Sequence, residues 1–134
     1  MGSRGQYKDS RRFTLRFESH YHQVGEKIFG VKVLQFNDRA NSALPEYAKT
    51  SEAYLSINRD GEMMHLRIYR DHFPVMDIDV GHSHHYGKDG DFVHVHDFRK
   101  DAGGNPDRGV GRSITESELR KYGKLIEKMK GSMK

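Results

Sequence analysis

Five of the nine histidines in this 134-residue chain, His82, His84, His85, His94 and His96, lie between Asp77 and Phe98 in the run DIDVGHSHHYGKDGDFVHVHDF. Asp77, Asp79, Asp91 and Asp97 stand among them. Imidazole titrates near neutrality and is the commonest metal ligand, so this crowding points to acid–base chemistry or to a metal ion. His94 and His96, in an HVH step, would project to one side of a strand about 7 Å apart. Two imidazoles so placed can share an ion. They can also act as base and acid across a phosphate, as a metal-independent ribonuclease requires to deprotonate a 2′-hydroxyl and protonate the leaving oxygen. In that scheme Asp79 orients one ring, His84 or His85 completes the site from the loop, and Arg67 or Arg99 holds the phosphate; no cofactor is needed. Arg108 and Arg112 offer the same planar fork to an anion. In the alternative scheme Asp79, His82, His84, His94 and His96 hold zinc or manganese. A solvated sheet face and an exposed loop would carry the same histidines with no chemistry at all.

The composition narrows the field. There is no cysteine, which excludes disulfides, thiolate metal sites and cysteine nucleophiles, so any metal must be held by His, Asp or Glu. Lys and Arg number 23 against 19 Asp and Glu, a formal charge of +4. That balance accommodates RNA or another polyanion without demanding one. No apolar run approaches the roughly 18 residues of a membrane span, and the first residues, MGSRGQYKDSRR, lack the apolar core of a signal peptide. The expectation is a cytoplasmic protein with no membrane partner.

The elements that must position the histidines follow from periodicity. Residues 1–12 show none and read as a flexible tail; residues 13–131 read as one domain. Phe13, Leu15 and Phe17 alternate with polar residues as a half-buried strand does, and Ile28 to Phe36 reads as a second strand. His20 and His22 repeat the HxH spacing without a carboxylate partner and read as surface. Residues 37–52 form a long connection. Ala53, Leu55 and Ile57, an Asp-Gly turn at 60–61, and Met64, Leu66 and Ile68 make a hairpin. Strands over Val75–Val80 and Phe92–Phe98 follow, with residues 81–90 as the loop between them. Sending Val93 and Val95 to the core puts His65, Arg67, Tyr69, Asp77, Asp79, His94 and His96 on the opposite face. Residues 99–112, with four glycines and a proline, read as an irregular loop. Thr115 and Glu118 form a capping box, Ile114 and Leu119 fit a hydrophobic staple, and Leu119, Tyr122, Ile126 and Met129 mark a helix that Gly131 closes. The expected fold is α+β: an antiparallel β-meander of about four to six strands with one C-terminal helix packed on one face.

The connection NDRANSALPEYAKTSEAYLSIN, the Asp79/His82 step, the HVH strand and the short capped helix together resemble a group of small His-rich prophage-encoded proteins found near phage head-morphogenesis genes. The resemblance covers roughly residues 30 to 130. It implies kinship with toxin-like nucleases of the barnase, EndoU, colicin and RelE type, whose active face is a four-stranded sheet carrying His, Arg, Asp and Tyr without metal. The expectations are therefore an RNA-cleaving phage protein, a His/Asp metal-binding accessory protein, or a non-enzymatic inhibitor of a host defence protein such as a CRISPR effector. All three place it in the host bacterial cytoplasm.

Overall fold

The computed structural model describes residues 21–36, 44–81 and 92–133. The expected strand at Phe13–Phe17, His20, the tail and the loop histidines His82, His84 and His85 lie outside them. Among the described residues seven strands run β1 (Tyr21–Gln23), β2 (Lys32–Phe36), β3 (Ala53–Ser56), β4 (His65–Arg70), β5 (Phe73–Gly81), β6 (Phe92–Lys100) and β7 (Pro106–Ser113), followed by one helix, α1 (Glu116–Ser132). They form a single sheet in sequence order. The α+β class with a C-terminal helix is as the sequence implies, but the sheet has seven strands instead of four to six.

Two further differences have physical causes. Strands β2 and β3 pair in parallel, so the sheet is not a pure antiparallel meander. In the described part of the connection Leu44, Tyr47 and Ala48 are buried, Leu44 and Ala48 against Leu34, Tyr54 and Tyr69 on one face of the sheet, and the chain enters β3 in the direction in which it left β2. Ala48 fixes that crossing by exchanging bonds with His72: its N–H donates to the His72 carbonyl at 2.9 Å, and His72 Nδ1 meets the Ala48 carbonyl at 2.8 Å.

The second difference is β7, in the stretch that reads as an irregular loop. Its glycines are strand glycines. Register shifts between His96 and Phe98, so Gly109 and Val110 bulge opposite Asp97. A Cβ on Gly109 would lie 3.0 Å from the Asp97 carbonyl oxygen, and one on Gly111 would lie 3.3 Å from both the His94 and His96 rings. Glycine is needed where another group comes this close.

Alternation sorts the side chains as expected. One face carries Val33, Leu55, Leu66, Ile78, Val80 and Val95, sealed by Leu125, Ile126, Met129 and Met133 from α1. The other is not wholly solvated, because Leu34, Leu44, Ala48, Tyr54 and Tyr69 form a second apolar cluster there. Helix α1 begins with the expected reciprocal cap, Thr115 and Glu118 each accepting the other's backbone N–H. Leu119 is 46% exposed, so the buried stripe shifts to Leu125, Ile126 and Met129. Gly131 does not close the helix, which runs on to Ser132; the Ser132 hydroxyl accepts the Met63 N–H at 2.8 Å and ties the helix end to the sheet.

Candidate functional site

Register builds the site as a grid. His65 on β4, Asp79 on β5, His94 on β6 and Ser113 on β7 stand opposite one another in turn, and Arg67, Asp77, His96 and Gly111 form the next row. Opposed residues of paired strands point to the same face, so the rows converge on the two buried aspartates.

Asp79 is the hub. Its Oδ1 meets His65 Nδ1 at 2.8 Å, and its Oδ2 accepts from Arg108 Nη2 at 2.6 Å. The same Oδ2 lies 3.7 Å from His94 Nε2 and 3.5 Å from His96 Nε2. Burial pushes the Asp79 carboxyl upward, but His65 and Arg108 outweigh it and the net shift is downward, so Asp79 is an anion at neutral pH. His96 Nδ1 meets the Gly109 carbonyl at 2.9 Å, which makes that nitrogen an N–H donor and turns Nε2 toward Asp79. Burial lowers the His94 pKa; the Asp79 carboxylate opposes this, and Arg108 adds to the lowering. The two rings sit edge to face with centroids 5.0 Å apart.

Asp77 serves a different purpose. It is 2% exposed and bound by Arg67 through Nε at 2.6 Å and Nη2 at 2.9 Å, and by Arg108 Nε at 2.8 Å. Arg67 also donates to the Leu44 and Pro45 carbonyls and lies over Phe98, so four of its five N–H donors are engaged inside the protein. Arg99 does not join the cluster; it faces Asp107 across the β6–β7 ladder. Thus His94, His96 and Asp79 are brought together, Arg67 is adjacent but consumed, and Arg99 stands apart. The contributions of His65 and Arg108 depend on pairing across strands, although alternation already placed His65 on this face. Arg108 was legible only as a candidate anion contact.

Asp79, His94 and His96 each offer one ligand atom within 4.8 Å of the others. No protein-family model, curated protein or solved structure matches this chain. Among the described residues, no helix is long and apolar enough to cross a membrane.

Proposed function

We propose that this protein binds a divalent ion of the zinc class through His94 Nε2, His96 Nε2 and Asp79 Oδ2. The observation that carries this reading is the convergence of both Nε2 atoms on one carboxylate oxygen at 3.5 and 3.7 Å. With bonds of roughly 2.0 to 2.2 Å, neighbouring ligands of a tetrahedral ion stand roughly 3.3 to 3.6 Å apart. The outer contacts of His96 and Asp79 fit as well. Metal-bound imidazole ordinarily gives its other N–H to a carbonyl or carboxylate, as His96 does to Gly109, and ligating carboxylates are themselves held, as His65 holds Asp79. Three protein ligands with a position open to solvent is the coordination of hydrolytic zinc, where the ion supplies an acidified water. Arg108 shares Oδ2 with the ion's position, and the buried Asp77 retains the guanidinium through Nε when Oδ2 is given up.

The test is titration of chelator-treated protein with zinc and with manganese. Wild type is expected to bind one ion per chain at this site, and Asp79→Asn and His96→Ala to weaken it at least about 100-fold. Equal binding by all three proteins sinks the assignment.

A second reading is metal-independent RNA cleavage by the same pair. It is favoured by the lowered pKa of His94, which keeps a neutral imidazole available as base at neutral pH, with His96 as acid. RNA incubated with the protein in EDTA distinguishes the two: cleavage lost in His94→Ala supports it, and intact RNA removes it.

A further inference from the structure

Beside the helix, two grooves of about 910 and 830 Å³ meet at Phe29. The first is lined by Lys27, Lys32, Lys49, Arg70 and Lys121 against only two carboxylates, Glu52 and Asp71. Among the described residues, Lys27, Lys32 and Arg70 form no ion pair, and Lys121 makes only a cation–π contact, 5.5 Å from the Tyr122 ring. The second groove adds Arg120, Lys124 and Lys128 along α1, with Lys130 paired to the Glu127 carboxylate at 3.9 Å. Cations that outnumber the carboxylates along a concavity give a track of positive potential, and its length exceeds one anionic group.

Phe29 makes the ligand class more specific. It is 60% exposed and sits with Gly30 at the tip of a two-residue hairpin, both at positive φ (49° and 81°), closed by reciprocal Ile28–Val31 backbone bonds of 2.9 Å. A bulky residue at positive φ is strained, and one this exposed regains little by burial. The second hairpin tip bordering the first groove, Asp71–His72, is also at positive φ without glycine (52° and 73°). An exposed aromatic ring set among an excess of cations, here with Lys124 Nζ 5.9 Å from the Phe29 centroid, is the arrangement that stacks a base while lysines follow the phosphates.

We propose that these grooves bind the phosphodiester backbone of a single-stranded nucleic acid, with Lys32, Lys121 and Lys124 on phosphates and Phe29 stacked on a base. The site shares no residue with the proposed metal centre, so either can fail without the other.

The experiment is fluorescence anisotropy of a labelled single-stranded oligonucleotide with the full chain between 50 and 200 mM salt. Lys32→Glu and Lys121→Glu are each expected to lower affinity about tenfold and to reduce the slope of log K against log salt by about one. Arg59→Glu, on the distant 58–61 turn, makes the same change in net charge and is expected to lower affinity less than about twofold. Phe29→Ala is expected to weaken single-strand binding several-fold with the salt slope unchanged. An unaltered melting temperature confirms that each variant is folded. Absence of binding at 50 mM salt, or equal losses in Arg59→Glu and Lys32→Glu, overturns the site. Indifference to Phe29→Ala, or equal affinity for duplex, overturns the single-strand assignment.

Discussion

Asp79 carries the site because both of its oxygens are already in use, and the partners differ in kind. His65 orients the carboxylate from Oδ1. Arg108 is a fixed cation on Oδ2, at the place an incoming ion would take. The ion and the guanidinium therefore compete, and Arg108→Gln is expected to bind zinc more tightly than wild type, by up to about tenfold, since solvent at the partly exposed guanidinium screens the repulsion. A weaker or unchanged zinc affinity in a calorimetric titration would show that Arg108 does not oppose the ion. Gly111 acts through space alone. Its φ is not positive, so alanine suits the backbone, but the added methyl would press on both imidazoles at 3.3 Å. Gly111→Ala is expected to lower zinc affinity about tenfold with a change in melting temperature of only a few degrees. Unchanged affinity would mean that the rings adjust without leaving the ion.

At the scale of elements, Arg112 joins three of them. From β7 it donates through Nε and Nη2 to Asp97 on β6, and through Nη1 and Nη2 to Glu118 in the first turn of α1. Glu118 thus closes the helix cap and anchors the helix to the sheet edge. The bond from Arg112, helped by the Thr115 backbone and hydroxyl, holds the Glu118 carboxyl at about 2, against the opposing effect of burial. A carboxyl whose folded pKa lies below its unfolded value of about 4.3 adds stability above that pH and loses it as pH falls toward 2. Melting temperature measured against pH should therefore separate wild type from Glu118→Gln by a constant margin between about pH 5 and 7. The margin should close as pH approaches 2, since glutamine keeps the cap geometry and lacks only the charge. A margin independent of pH across that range would assign the effect to packing.

Across the whole molecule the sheet divides two tasks between its faces. One face is sealed by α1 around Ile126 and Met129, both with no measurable exposure, and the other carries the aspartate–histidine grid. Removing the Ile126 side chain to a methyl should cost about 2 to 5 kcal/mol of folding stability, as large-to-small core changes do. Zinc affinity of the folded Ile126→Ala protein should stay within about twofold, because its contacts are with the other face. A large loss of affinity would instead reveal coupling through β5, whose Ile78 and Asp79 point to opposite faces.

Much of this was legible in the residues themselves. A period of two fixed which side chains of β4, β5 and β6 share a face, so His65, Arg67, Asp77, Asp79, His94 and His96 could be placed together before any strand was paired. The Thr115–Glu118 box fixed the start of α1, because a cap is made within four residues. Pairing is a different matter. Alternation gives a face but no register, so only the folded sheet set Asp79 between His65 and His94 and gave Arg67 to Asp77. The glycines of 99–112 read as a loop because their purpose lies in their neighbours: the Asp97 carbonyl at Gly109 and two imidazoles at Gly111. The same close approach turned β7 into the strand that delivers Arg108 to Asp79. Short-range periodicity and capping were determined by the sequence alone, whereas the contacts that make the cluster a site lie across strands and were decided by the tertiary structure.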